Sequence, residues 1–214
     1  MLYIDAADRA RLAPLLATGL FAGVTTNPIV LQRAGLSADD LPALHSWLVE
    51  RGCRRFYAQA TGDTIDAMRA TAARIADIGE DVVVKLVATH EGLTVARELV
   101  GAGREVLLTA VYHPSQVLLA AAVGVQEIAP YVGRASDAGR DGIRLVSDMA
   151  GLGTRVRILA ASLRSTDQVV AALAAGAADA TVSASLADTL LTEKLTLEAA
   201  AQFEAIARES EGVA

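Results

Sequence analysis

The chain is predicted to fold as a (β/α)8 TIM barrel with an additional C-terminal helix. Three observations predict it: eight short apolar runs recur along the 214 residues, helical patterns fill the intervals, and no linker or change of composition divides the chain. Strands alternating with helices imply right-handed βαβ units and a parallel sheet. Eight such units in this length fit one compact barrel domain spanning residues 1–214, near the lower size limit of the fold. A flavodoxin-like or Rossmann sheet is the competing architecture.

The strand runs fall at 2–5, 22–26, 54–59, 81–86, 105–109, 126–132, 156–161 and 179–183. Each is short and apolar, and the fourth is rich in valine, as expected of parallel strands covered by helices. Between them, residues 39–50 follow Ser37, 64–78 follow Asp63, 91–100 follow Thr89 and 166–175 follow Ser165, each a residue type that caps a helix N-terminus. Gly52, Gly79, Gly101, Gly124 and Gly176 mark helix C-termini. A helix over 186–194 closes the eighth unit, so the stretch 196–209 is surplus and packs either on a neighbouring subunit or back on its own barrel.

Composition narrows the function classes. With 53% hydrophobic residues the chain can bury a full core, and a net charge of −6 with no cluster of Lys and Arg argues against nucleic acid or an anionic membrane as partner. A small molecule is the expected ligand. The single cysteine, Cys53, forms no intrachain disulfide, Met1-Leu2-Tyr3-Ile4-Asp5 carries no signal-peptide pattern, and no apolar run reaches the length of a membrane span. The expected localisation is cytoplasmic.

Lys85 stands in the valine run Asp81-Val82-Val83-Val84-Lys85-Leu86-Val87. Burial disfavours the ammonium and lowers the amine pKa, and a neutral amine is what attack on a ketone to form a Schiff base requires. The plainer alternative is a strand-end lysine whose stem lies on apolar surface while its head reaches water.

The barrel supplies a test, because functional groups collect at the C-terminal ends of the strands. Asp5 ends the first, Thr25, Thr26 and Asn27 the second, Gln59 the third, Lys85 the fourth, Thr109 the fifth and Tyr131 the sixth; Arg134, Ser162 and Arg164 lie in the loops after the sixth and seventh. Singly they have plainer readings: Asp5 as a helix cap, Asn27-Pro28 as a turn, Thr109 as a strand former, Tyr131 as core, Arg134 as surface charge. Together they suggest a nucleophilic lysine, with Asp5, Gln59 and Thr109 holding a proton-shuttling water and Tyr131 as acid and base. Arg134, Ser162 and Arg164 suit a phosphate.

Other cofactor chemistries fit poorly. Gly101-Ala102-Gly103 and Gly151-Leu152-Gly153 precede strands and look like helix ends, and there is no Gly-Lys-Ser/Thr phosphate loop. His45, His90 and His113 are scattered and read as surface or loop residues, which disfavours a zinc-dependent aldolase.

The ordered motifs Thr25-Thr26-Asn27-Pro28, Lys85-Leu86-Val87-Ala88-Thr89-His90-Glu91-Gly92, Thr109-Ala110-Val111-Tyr112, Ala129-Pro130-Tyr131-Val132-Gly133-Arg134 and Ala161-Ser162-Leu163-Arg164 resemble the small transaldolase family, nearest to its fructose-6-phosphate aldolase branch. The resemblance implies a class I mechanism through Lys85 on a (β/α)8 barrel, with no metal or organic cofactor. It implies catalytic roles for Asp5 and Thr109, and substrate contacts for Thr25, Asn27, Arg134, Ser162 and Arg164. It also implies a homo-oligomer, a pentamer or decamer, in which the C-terminal helix reaches a neighbour.

Within the family, transaldolases typically carry Glu, Phe, Asn and Ser where this chain has Gln59, Tyr131, Leu107 and Ala129. On that basis the sequence is expected to encode an aldehyde-lyase that cleaves fructose 6-phosphate, or a related aldol, to dihydroxyacetone and glyceraldehyde 3-phosphate. The alternatives are a transaldolase of the pentose phosphate pathway and a catalytically silent sugar-phosphate-binding barrel. Ile29, where the family usually has a hydroxyl residue, and Val87, where the aldolase branch often has proline, depart from the pattern.

Overall fold

A computed structural model describes residues 1–211. The last three residues of the expected domain lie outside the described residues. In chain order the elements are β1 (Leu2–Asp5), α1 (Arg9–Ala17), β2 (Gly23–Thr25), α2 (Pro28–Arg33), α3 (Leu41–Val49), β3 (Phe56–Gln59), α4 (Ile65–Ala76), β4 (Val82–Val87), α5 (His90–Gly101) and β5 (Val106–Val111). They continue as α6 (Ser115–Val123), β6 (Glu127–Pro130), α7 (Val132–Asp137), α8 (Gly142–Gly151), β7 (Arg157–Ala160), α9 (Thr166–Ala174), β8 (Asp179–Ser183), α10 (Ala184–Leu191) and α11 (Lys194–Glu211). The eight strands form a closed parallel barrel in sequence order, with β1 pairing β8 from Leu2↔Ala180 to Asp5↔Ser183. This is the fold the sequence predicts.

Two cores follow from the alternation of side chains along each strand. Outward residues such as Ile4, Val24, Phe56, Val84, Leu86, Val106 and Leu108 pack under the helices in one large cluster. Inward residues Tyr3, Tyr57, Val83, Leu107, Ala129, Tyr131, Leu159 and Ala161 fill the barrel itself.

The inner floor is polar where the strands begin. The Tyr57 hydroxyl donates to Glu127 Oε2 at 2.8 Å, and Arg55 reaches Glu127 Oε1 at 3.1 Å and Glu105 at 2.6 Å. Beside them Asp179 accepts from Arg157 and from the Met1 amine, each at 2.5 Å. Glu127 and Asp179 are buried, and desolvation, partly offset by Arg55, pushes the Glu127 carboxyl above its ordinary range. Such groups stay inside a barrel only when paired.

Helix entry differs in places from the sequence reading. Residues 39–50 are a 3-10 turn, Ala38–Asp40, closed by a capping box between Ser37 and Asp40, followed by α3. Thr64, not Asp63, caps α4, its side chain accepting from Ala67 N. Asp8, not Asp5, caps α1. Gly101 still belongs to α5, and the left-handed turn falls on Gly103. The sixth strand ends at Pro130, because Val132 opens α7; Tyr131 keeps a single bridge to Ala161. His45 is a half-buried residue of α3 whose Nε2 lies 2.9 Å from Asp81, rather than a surface or loop histidine.

Candidate functional site

One cavity of about 430 Å³ opens at the C-terminal ends of the strands. Its wall contains nine of the ten residues given a catalytic or binding role from the sequence: Asp5, Thr25, Asn27, Lys85, Thr109, Tyr131, Arg134, Ser162 and Arg164. Gln59 is not part of that wall. It ends β3 on the inward face, in register beside Lys85, and its side chain makes no hydrogen bond among the described residues.

Lys85 is 5% exposed and its Nζ donates to the Thr26 carbonyl at 2.8 Å. Thr26 is itself fixed to β3, its N–H and hydroxyl both donating to the Tyr57 carbonyl at 2.8 and 2.9 Å. The snorkelling alternative would leave the ammonium in water. Instead, desolvation lowers the Lys85 pKa from its ordinary value, with Asp5 opposing the shift.

Asp5 is held through a short chain of hydroxyls. Thr25 donates to Asp5 Oδ1 at 2.8 Å, and Thr25 Oγ1 lies 2.7 Å from Thr181 Oγ1. A hydroxyl has one proton, so the Thr25 proton on Asp5 makes Thr181 the donor to Thr25. Thr181 was not identified from the sequence, because the eighth strand was assigned no functional group. Its place two residues beyond Asp179, on the same inward face, was the available signal.

On the far side of Lys85, Thr109 donates to the Tyr131 hydroxyl at 3.2 Å. The Tyr131 proton is then free to point into the cavity. Burial, partly offset by this hydrogen bond, raises the Tyr131 pKa, so the phenol is protonated at neutral pH. Tyr112 packs edge-on to the Tyr131 ring at 5.8 Å, and the Arg134 guanidinium stacks 4.9 Å from its centroid.

The backbone at these strand ends is specialised. Among the described residues, Ala110 (φ 56°) and Ser162 (φ 61°) are the non-glycine residues in the left-handed region, an arrangement costing about 1 kcal/mol or more at each. Ala110 sits where the β5–β6 register shifts, immediately after Thr109. Ser162 turns the chain out of β7 so that its carbonyl meets Gly133 N at 3.0 Å. A Cβ at Gly133 would lie 2.0 Å from that carbonyl oxygen and 3.0 Å from the Arg164 side chain, so the arginine-bearing loops touch because position 133 is glycine.

Asn27 does two jobs. Its Oδ1 caps α2 by accepting from Ile29 N and Val30 N at 3.0 and 3.1 Å, so the predicted turn is a helix start, and its amide protons remain for the cavity. Ile29, Val30 and Arg33 of α2 also line the wall, and Arg33 escaped the sequence reading. Val87, the other departure, packs against the outer core. Among the described residues no cluster of three or more His, Cys, Asp or Glu side chains is arranged to hold a metal, and no helix is long and apolar enough to cross a membrane.

Fold and pocket together define a (β/α)8 barrel with a buried lysine on its fourth strand and arginines around its mouth. The chain belongs to the transaldolase/fructose-6-phosphate aldolase family, whose model matches residues 2–213. It is 34% identical over 206 residues to a probable transaldolase of Phenylobacterium zucineum (strain HLK1), covering 94% of each chain. It is 33% identical over 200 residues to a probable transaldolase of Dinoroseobacter shibae (strain DSM 16493 / NCIMB 14021 / DFL 12), covering 90% of this chain and 91% of that one. Among solved structures, a crystal structure of mandelate oxidase superposes with a TM-score of 0.60 at 16% identity, covering 87% of this chain and 66% of the oxidase. The chain thus spans just under two thirds of the oxidase, and the likeness is one of fold alone.

Proposed function

We propose that the protein is a class I aldolase working through an imine on Lys85, reversibly cleaving fructose 6-phosphate or a related aldol. The observation that carries this reading is Lys85 itself, an amine removed from water, lowered in pKa and held at the wall of the cavity by a single carbonyl. The neutral amine attacks the ketone carbonyl, and loss of water from the carbinolamine gives the iminium. Asp5, Gln59 and Thr109 are the groups around Lys85 that handle the protons of that dehydration through a water.

The iminium then accepts the electron pair of the C3–C4 bond. As that bond breaks, the C4 hydroxyl proton leaves, the aldehyde glyceraldehyde 3-phosphate departs, and an enamine remains on Lys85. Protonation of the enamine and hydrolysis of the iminium return the amine and release dihydroxyacetone. Tyr131 suits the proton transfer at C4. In cleavage its phenol supplies the proton with which the carbinolamine hydroxyl leaves as water, and the phenolate so formed takes the C4 hydroxyl proton; in synthesis the phenol donates to the aldehyde oxygen, with Thr109 supporting the phenol oxygen. Arg134, Ser162 and Arg164 bind the phosphate and fix which end of the sugar faces Lys85.

A second reading is favoured by the names of the relatives, both probable transaldolases. It keeps the same imine but hands the enamine to an aldose phosphate instead of to a proton. Gln59 and Tyr131 support release, since the amide of Gln59 cannot ionise and Tyr131 brings a hydroxyl to the reacting carbon. The exposed apolar side chains of α11, with Leu195 and Phe203 each 70% exposed, support a homo-oligomer with α11 at its interfaces.

Borohydride trapping with dihydroxyacetone, followed by mass mapping, should place one adduct on Lys85; its absence rejects aldolase and transaldolase together and leaves the silent barrel. Rates of fructose 6-phosphate cleavage and of transfer to erythrose 4-phosphate then separate the two reactions. Cleavage should dominate in the wild type, and Gln59→Glu should move the ratio toward transfer.

A further inference from the structure

The cavity wall holds one carboxylate, Asp5, and one amine, Lys85, and the two do not pair. Among the described residues the Lys85 Nζ donates to the Thr26 carbonyl alone, and Asp5 accepts from the Thr25 hydroxyl. Two consecutive residues, Thr25 ending β2 and Thr26 just after it, thus hold the opposite charges apart, one by its side chain and the other by its main chain. Away from bulk water such charges attract strongly. An ion pair would keep the lysine as an ammonium, unable to attack a ketone, so Asp5 needs a restraint.

That restraint runs through three strands. Asp5 lies beside Thr25 in the β1–β2 register, and on the other side of β1 stands β8, whose Thr181 aligns with Tyr3. The side chains of Thr25 and Thr181 therefore meet over β1, 2.7 Å apart, at 1% and 5% exposure. Neither hydroxyl has a further hydrogen-bond partner among the described residues. The Asp5 carboxylate can only accept, so the protons line up from Thr181 to Thr25 to Asp5, and each bond polarises the next. Replacing the Thr181 hydroxyl by a methyl leaves the Thr25 oxygen buried without a donor and weakens the bond that holds Asp5.

We propose that Thr181 is a positioning residue: through Thr25 it tethers the Asp5 carboxylate and keeps it from closing on Lys85. The catalytic meaning of the tether rests on the imine reading of Lys85. A tethered Asp5 stays close enough to pass protons through a water during carbinolamine dehydration, yet does not lock the amine in a salt. No other group in the cavity competes for this part. Gln59 and Leu107, beside Lys85 in register, carry no charge, Tyr131 is a protonated phenol, and Arg33, Arg134 and Arg164 are cations.

The chain has two lysines, Lys85 and Lys194, so whole protein labelled with carbon-13 at the lysine ε-carbon gives two NMR signals, which Lys85→Met assigns. In Thr181→Val the Lys85 titration midpoint should rise by about half a pH unit, because a released Asp5 moves toward the ammonium. Thr181→Ser, which keeps the hydroxyl, should leave the midpoint at its wild-type value. In an Asp5→Asn background Thr181→Val should have no effect. A packing role predicts the opposite order, since serine loses the methyl that valine keeps. An unmoved midpoint in Thr181→Val, or an equal rise in the Asp5→Asn background, would overturn the tether. Failure of the imine reading shows separately, as a missing borohydride adduct on wild-type Lys85, and the NMR titration still decides on the tether.

Discussion

Lys85 and Asp5 oppose each other electrostatically. Desolvation favours the free amine and the carboxylate favours the ammonium, so imine formation should fall away as pH drops through the lowered lysine pKa. Asp5→Asn removes the group that raises that pKa, and the acid limb should move to lower pH; an unmoved limb in the pH profile of borohydride-trapped adduct would refute the coupling. The same burial destabilises the fold, because the unfolded lysine titrates at its ordinary 10.5 and takes up a proton that the folded one resists. Lys85→Met should therefore abolish the adduct yet raise stability by about 1 kcal/mol. In denaturant melts the gain should be larger at pH 7 than near pH 11. Lys85 was legible in the sequence because a cation interrupts a valine run, and Asp5, Thr109 and Tyr131 because they end such runs. Thr181 was not, since threonine is an ordinary strand former and only the barrel's closure brings it to Thr25.

At the level of elements, the site is assembled by close approach between the two arginine-bearing loops. Gly133→Ala would drive a methyl into the Ser162 carbonyl, so it should cost about 1–3 kcal/mol by overpacking. It should also raise KM for phosphorylated more than for unphosphorylated acceptors, read from paired denaturation and steady-state assays. Asp8→Ala, which removes the α1 cap, should cost about 1 kcal/mol with the kinetics unchanged. Strand and helix positions were legible because short continuous apolar runs alternate in this chain with longer helical patterns that begin at capping residues. Their boundaries were less so. Thr64 and Asp63 are both competent caps, and the 3-10 turn at Ala38–Asp40 depends on a reciprocal side-chain bond that periodicity does not encode. Arg33 was hidden for a related reason: one turn of helix beyond a strand end, it faces the cavity only because Asn27 starts α2 where it does.

Across the whole molecule, the candidate site occupies one end of the barrel and the hydrogen-bonded group of Arg55, Tyr57 and Glu127 the other. Glu127→Ala would leave the buried Tyr57 phenol without its acceptor and the half-buried Arg55 guanidinium with Glu105 alone, a loss of about 3 kcal/mol. The Lys85 adduct should still form at temperatures where the variant is folded, which mass mapping checks directly. This floor was invisible in the sequence because its members come from strands far apart in the chain and carry no local motif. Closure has a further consequence, in how the chain is made. The Met1 amine and Asp179 meet across 178 positions, and β1 finds its second neighbour only in β8. Synthesis delivers β1 well before β8, so one edge of the growing sheet stays open until β8 has been made. A product cut short before residue 179 would keep two open edges, a template for joining other chains rather than a smaller enzyme.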